Sequence, residues 1–140
     1  MFLVRQIRRI RFRYRKYCGP NNPEARGQRL LRDWLSTSQR KQFDTNKYFD
    51  VIGCNTGKTY RIYYDRVMNV CELDEAGRPK MGWCFFPKGY FVAGDVMLAQ
   101  KIALETFEAD ALKVAERFPP SARTGQDQGR ATRDARAGRP

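Results

Sequence analysis

The chain has 140 residues and a formal net charge of +12, from 27 Lys/Arg against 15 Asp/Glu, with no histidine. That length favours a single domain. The missing histidine excludes Ser-His and Cys-His nucleophile pairs and imidazole metal ligands. No apolar run reaches the ~18 residues that suggest a membrane span.

The charge is unevenly placed. Met1–Gly19 carries seven Arg/Lys and no acid, and Pro119–Pro140 carries five Arg and two Asp. Pro20–Phe118 holds 15 basic and 13 acidic residues, a net of only +2. A nearly neutral stretch of about 100 residues can bury a core without staples. The expected organisation is a basic arm over 1–19, one α+β domain over 20–118 and a disordered basic tail over 119–140.

In the arm, Leu3, Ile7, Ile10, Tyr14 and Tyr17 recur at heptad spacing, which puts them on one helical face. Arg9–Arg15 also alternates strictly between basic and apolar residues, a strand pattern. Both templates are satisfied. A basic amphipathic helix suits a membrane surface or an acidic partner. Basic residues interleaved with aromatics also suit nucleic acid. Arg8, Arg9, Arg11, Arg13, Arg15 and Lys16 would neutralise phosphates, while Phe12, Tyr14 and Tyr17 would stack on bases. Two plainer readings stand beside these: a solubilising extension, or residues added by an upstream start codon. The arm lacks the apolar segment of a secretory signal.

Cys18–Pro23 reads as a linker. Asn22, Pro23 and Glu24 together mark a helix start. Leu30, Leu31, Trp34 and Leu35 form that helix's apolar stripe, and Gly27 weakens its early part. Trp34 as a ligand-stacking residue is the alternative to core. Ser36–Ser38 breaks the helix. Thr37 or Ser38 then caps a second, which runs to about Asn46 with Phe43 as its one apolar residue.

Tyr48–Phe86 reads as three or four strands. Tyr48–Gly53 and Thr59–Tyr64 are aromatic and β-branched. Asn55 and Gly57 suit a hairpin turn between them. Val67–Leu73 alternates, with Val67, Asn69, Cys71 and Leu73 on one face and Met68, Val70 and Glu72 on the other. Asp74–Pro79 is a turn by composition, and Trp83–Phe86 a short fourth strand. Strands this close in sequence pair as an antiparallel meander.

Gly94-Asp95 marks the next helix start, with Asp95 as cap. Val96–Glu105 is apolar on most sides, with Gln100, Lys101 and Glu105 as a narrow polar strip, so it reads as the main core helix. Thr106 caps a further helix that sets Phe107, Ala111, Val114 and Phe118 on one face, and Pro119-Pro120 stops it. The expected class is therefore α+β: an antiparallel three- to four-stranded meander flanked by N- and C-terminal helices.

No motif carries catalysis. Gly53–Thr59 resembles a phosphate loop, but only three residues separate its glycines where the motif has four, and strand follows where a helix is required. Cys18, Cys54, Cys71 and Cys84 lack zinc-site spacing. They read as reduced and mostly buried, in a cytoplasmic protein, although Cys71 and Cys84 would face each other in one strand register. No catalytic, cofactor-binding or metal-binding residue is assigned.

Tyr48–Gly53, Tyr60-Arg-Ile62, Asn69-Val70, Cys84 and above all Gly94-Asp-Val-Met-Leu-Ala-Gln-Lys-Ile-Ala-Leu-Glu105 resemble a group of small bacterial and phage-encoded proteins with no established function. The resemblance covers roughly Arg29–Ala115 and excludes both basic ends. It implies no activity. That group often carries histidine two residues after the position of Cys84; here the residue is Phe86, which counts against a metal site.

Three functions compete. The first is a non-enzymatic module whose basic ends contact nucleic acid or another polyanion. The second is a structural or adaptor protein, docking a partner through the sheet edge or through Tyr63, Tyr64, Phe85, Phe86, Tyr90 and Phe91. The third is an enzyme with a pocket around Cys71 or Cys84.

Overall fold

The computed structural model describes residues 22–64, 68–85 and 92–120. The basic arm and all of the C-terminal tail beyond Pro120 lie outside them. Helix α1 spans Pro23–Trp34 and starts where its capping residues require. Asn22 Oδ1 accepts from the Ala25 N–H at 2.6 Å, satisfying one of the donors that a helix start leaves over. Only part of the expected stripe is core. Leu31 and Leu35 are buried, whereas Leu30 is 46% exposed and Trp34 59% exposed.

Helix α2 spans Thr37–Asn46. Its cap is Ser36, not Thr37 or Ser38: Ser36 Oγ accepts from the Gln39 N–H, and Gln39 Oε1 accepts from the Ser36 N–H. This reciprocal pair needs a serine three residues ahead of a glutamine, and only Ser36 has that spacing. Phe43 drives α2 onto the sheet, packing edge-on against Phe49 and Tyr64.

The strands are β1 (Tyr48–Ile52), β2 (Thr59–Tyr63), β3 (Val70–Leu73), β4 (Pro79–Cys84) and β5 (Glu116–Phe118), in the spatial order β1-β2-β3-β4-β5. Every neighbouring pair is antiparallel. The fold is thus the expected α+β meander with one strand added. Gly57 (φ 71°) closes the β1–β2 turn and Gly77 (φ 76°) the β3–β4 turn; Asn55 does not take positive φ. Asp74 organises the β3–β4 turn by accepting from the Ala76 and Arg78 N–H groups. β4 starts at Pro79 and ends at Cys84, earlier than its apolar content suggests. Cys71 stands opposite Gly82 rather than Cys84, so the two thiols do not face each other.

Helix α3 spans Ala93–Val114 with a kink at Phe107 (φ −137°, ψ 39°). Asp95 sits in its first turn and is not the cap, a place held by Val92 without a side-chain bond. Gln100 is buried, not part of an exposed strip. It exchanges two 2.8 Å hydrogen bonds with the Asn69 amide, so both polar groups are satisfied inside. The α1–α3 crossing is close because both helices present glycine. A Cβ on Gly94 would stand 2.4 Å from the Gly27 carbonyl carbon. The sequence cue that seemed to weaken α1 is therefore what lets α3 pack on it.

The chain after Val114 leaves the helix, and Phe118 is not on the helical face expected of it. Pro119 disfavours helical geometry at the residue before it, and β4 has an edge to pair. Phe118 lies opposite Gly82, where its ring fills the space a side chain would take. The main core joins Leu31, Phe43, Phe49, Tyr60, Ile62, Met97 and Leu104 between the helices and one sheet face. Tyr63, Cys71 and Leu73 form a second cluster on the other face.

Candidate functional site

The residues expected to contact nucleic acid, Arg8, Arg9, Arg11, Phe12, Arg13, Tyr14, Arg15 and Lys16, lie outside the described residues, as does Tyr17. Of the aromatic set suggested for protein docking, Tyr63 is buried and Tyr64 and Phe85 are half-buried, whereas Phe86, Tyr90 and Phe91 fall outside.

The loop that resembles a phosphate loop does hold an anion, and the anion is the protein's own. The Asn55 and Thr56 N–H groups donate to Glu108 Oε2 at 2.7 and 2.8 Å. The Thr56 hydroxyl and, at 2.7 Å, the Tyr60 hydroxyl donate to Oε1. Successive backbone amides turned to one side make such a concavity. Gly53 leaves room for the carboxylate: a Cβ there would stand 2.3 Å from Glu108 Cδ. The loop also repairs the helix at its kink. The Cys54 N–H donates to the Leu104 carbonyl at 3.1 Å, and Asn55 Oδ1 accepts from the Ala109 N–H at 3.0 Å. Both helical groups would otherwise lack partners where the i to i−4 ladder is broken. Burial acts to raise the Glu108 pKa, but the bonds from Thr56, Tyr60 and Asn55 outweigh it and hold the carboxyl below its ordinary value. Burial and the adjacent carboxylate push the Tyr60 hydroxyl well above its ordinary value. This cluster is a clasp joining hairpin to helix, and its anion site is filled.

A groove of about 630 Å³ runs between α2, β1 and α3, lined by Ser36, Gln39, Gln42, Asp50, Ile52 and Glu105. Its carboxylates are committed. Arg61 grips Asp50 with two bonds, at 2.8 and 3.0 Å, and Lys101 pairs with Glu105. Gln39 Nε2 donates to the Asp50 carbonyl at 2.9 Å, and the Asp50 N–H donates to Gln42 Oε1 at 3.0 Å. Two glutamines of α2 thus occupy the outward backbone groups of edge residue Asp50, where an added strand would pair.

A third cluster lies on the helix-bearing face, towards β4 and β5. Glu72, 4% exposed, has Lys58 Nζ at 3.1 Å and Lys80 Nζ at 3.9 Å from the same Oε1. Trp83 Nε1 donates to its Oε2 at 3.3 Å. The Arg117 guanidinium stands 5.7 Å from the centre of the Trp83 ring, across the β4–β5 ladder. Nothing in the sequence signalled this cluster, because strand pairing assembles it from residues 58 to 117.

Among the described residues the three cysteines are unpaired, and Cys54 is exposed while Cys71 is buried. Burial pushes the Cys71 thiol above its ordinary value, away from reactivity. No group of three or more Cys, Asp or Glu side chains suited to a metal occurs among the described residues, and none of their helices is long and apolar enough to cross a membrane. Comparison with family models, with curated proteins and with solved structures finds no match for this chain.

Proposed function

We propose that this protein is a non-enzymatic binding module whose basic ends engage nucleic acid or a similar polyanion. The observation that supports this is where the charge is not. The described residues hold 13 Lys/Arg and 12 Asp/Glu, a net of +1, so +11 of the +12 lies outside them. Within the body, cations are matched locally, as in Arg61–Asp50, Arg32–Asp44, Arg78–Asp74 and Lys113–Asp110. The buried carboxylates Glu72 and Glu108 are likewise satisfied by groups of the body. The arm's arginines are therefore not needed as internal counter-ions, and are available to release counter-ions from a polyanion.

The test compares the full chain with a variant in which Arg8, Arg9, Arg11, Arg13, Arg15 and Lys16 are glutamine. Binding to DNA and RNA is followed across a salt series. Each phosphate neutralised contributes roughly 0.9 to the log–log salt slope on B-DNA, so losing six cations flattens it by up to about 5. Equal affinity and slope for the two proteins would remove the proposal.

A further inference from the structure

We propose that Lys58, Lys80, Trp83 and Arg117 form a second contact surface on the folded body, and that its ligand is single-stranded nucleic acid. This rests on the polyanion-binding reading and names the ligand class more closely.

The charge exceeds what the fold needs. One buried carboxylate requires one good partner, and Glu72 has two nearer ones, in Lys58 at 3.1 Å and the Trp83 N–H at 3.3 Å. Lys80 is farther, at 3.9 Å, and its side chain is 62% exposed. Arg117 is exposed, and its contact is with the Trp83 ring. Two lysines therefore gather around one anion, with Arg117 on the adjoining indole, in a body whose described residues sum to +1.

The chemistry is mixed in a way that suits unpaired bases. Trp83 is half-buried against the core, and the exposed Arg117 guanidinium over its ring extends a flat, polarisable surface outward on which bases stack. Lysines beside such a platform track the backbone. Stacking needs bases free of a duplex, which selects single strands. The strands hold the group rigidly, since Trp83 and Arg117 are cross-strand neighbours and Glu72 anchors the indole N–H. The register supplies a preformed site without a loop having to close.

The experiment uses the full chain carrying Trp34→Phe, which leaves Trp83 as the one tryptophan. The probes are a short oligo-dT strand and its duplex with oligo-dA. Oligo-dT should quench Trp83 emission, and the duplex should bind more weakly and quench less. Adding Lys80→Gln and Arg117→Gln should weaken oligo-dT binding roughly tenfold and flatten the salt slope by about 1.4, at roughly 0.7 per cation on a single strand. Lys80→Arg should keep the affinity. Unchanged Trp83 emission at saturation overturns the proposal. So does equal affinity for the duplex, or parental binding by the double-glutamine protein. If that protein binds normally while the arm variant does not, this site falls and the arm reading stands. If nothing binds, both fall.

Discussion

Replacing Glu108 tests whether the clasp, rather than the surrounding apolar core, holds the hairpin to the kinked helix. Four donors converge on this carboxylate, and the side chain is fully buried. Glu108→Gln keeps its volume. Its amide oxygen still accepts from the Asn55 and Thr56 N–H groups, and its NH₂ can donate to the Thr56 and Tyr60 hydroxyls once these rotate. What is lost is charge assistance, which about doubles the strength of such bonds. Bonds to a charged group contribute about 1.5–3 kcal/mol against about 1 for neutral ones, so a loss near 2–3 kcal/mol is expected after non-additivity. Glu108→Ala instead takes the acceptor from the Asn55 and Thr56 N–H groups, leaves the Tyr60 hydroxyl buried and unpaired and opens a cavity, for roughly 3–5 kcal/mol. A domain of this size loses about 4–8 °C of Tm per kcal/mol, so the two variants should separate clearly. Urea unfolding of the full chain, followed by far-UV circular dichroism, gives both numbers. Stability within about 0.5 kcal/mol of the parent for either variant, or Glu108→Gln as damaging as Glu108→Ala, would refute this account of the clasp.

The clasp sets two pH limits, one through Glu108 and one through the buried Tyr60 hydroxyl. Its folded pKa is depressed, so the stability it contributes is present above the ordinary value of 4.5 and is lost as pH falls through the lowered folded value. The Tyr60 pKa is raised, so its contribution is intact below 10.0 and is lost as pH climbs beyond that. Urea midpoints measured across pH should show both losses in the parent, with the acid one reduced in Glu108→Gln and the alkaline one reduced in Tyr60→Phe. At the helix crossing, Gly94→Ala drives a methyl into the Gly27 backbone, which has nowhere to move, and should cost about 1–3 kcal/mol or more in a thermal melt. On α1, Leu31→Ala should cost about 2–5 kcal/mol while Trp34→Ala stays within about 0.5, because only Leu31 is in the core. Brief alkylation of the native protein, mapped by mass spectrometry, should label Cys54 and spare Cys71; equal labelling would contradict the burial assigned to Cys71.

Local signals carried much of the architecture. Asn22-Pro23-Glu24 starts α1 because its cap is complete within four residues, and the alternation of Val70, Cys71, Glu72 and Leu73 set their faces because strand period is two. The meander followed from short spacings that leave no room for a crossover. The absence of histidine and the segregation of charge were likewise composition, readable without any fold. Other features depended on partners far along the chain. Gly27 looked like a weak helix position until Gly94 arrived against it. Residues 116–118 suited a helix until β4 supplied an edge and Gly82 a space for Phe118. Glu108 lay on a helix with no visible role until the 54–56 turn wrapped its amides around it. Lys58, Glu72, Lys80, Trp83 and Arg117 became neighbours through register alone. Capping and periodicity are encoded within a turn or two of backbone, so a linear reading finds them. Close approaches, buried charge and cross-strand clusters are set by which surfaces meet, and the packed chain alone defines those.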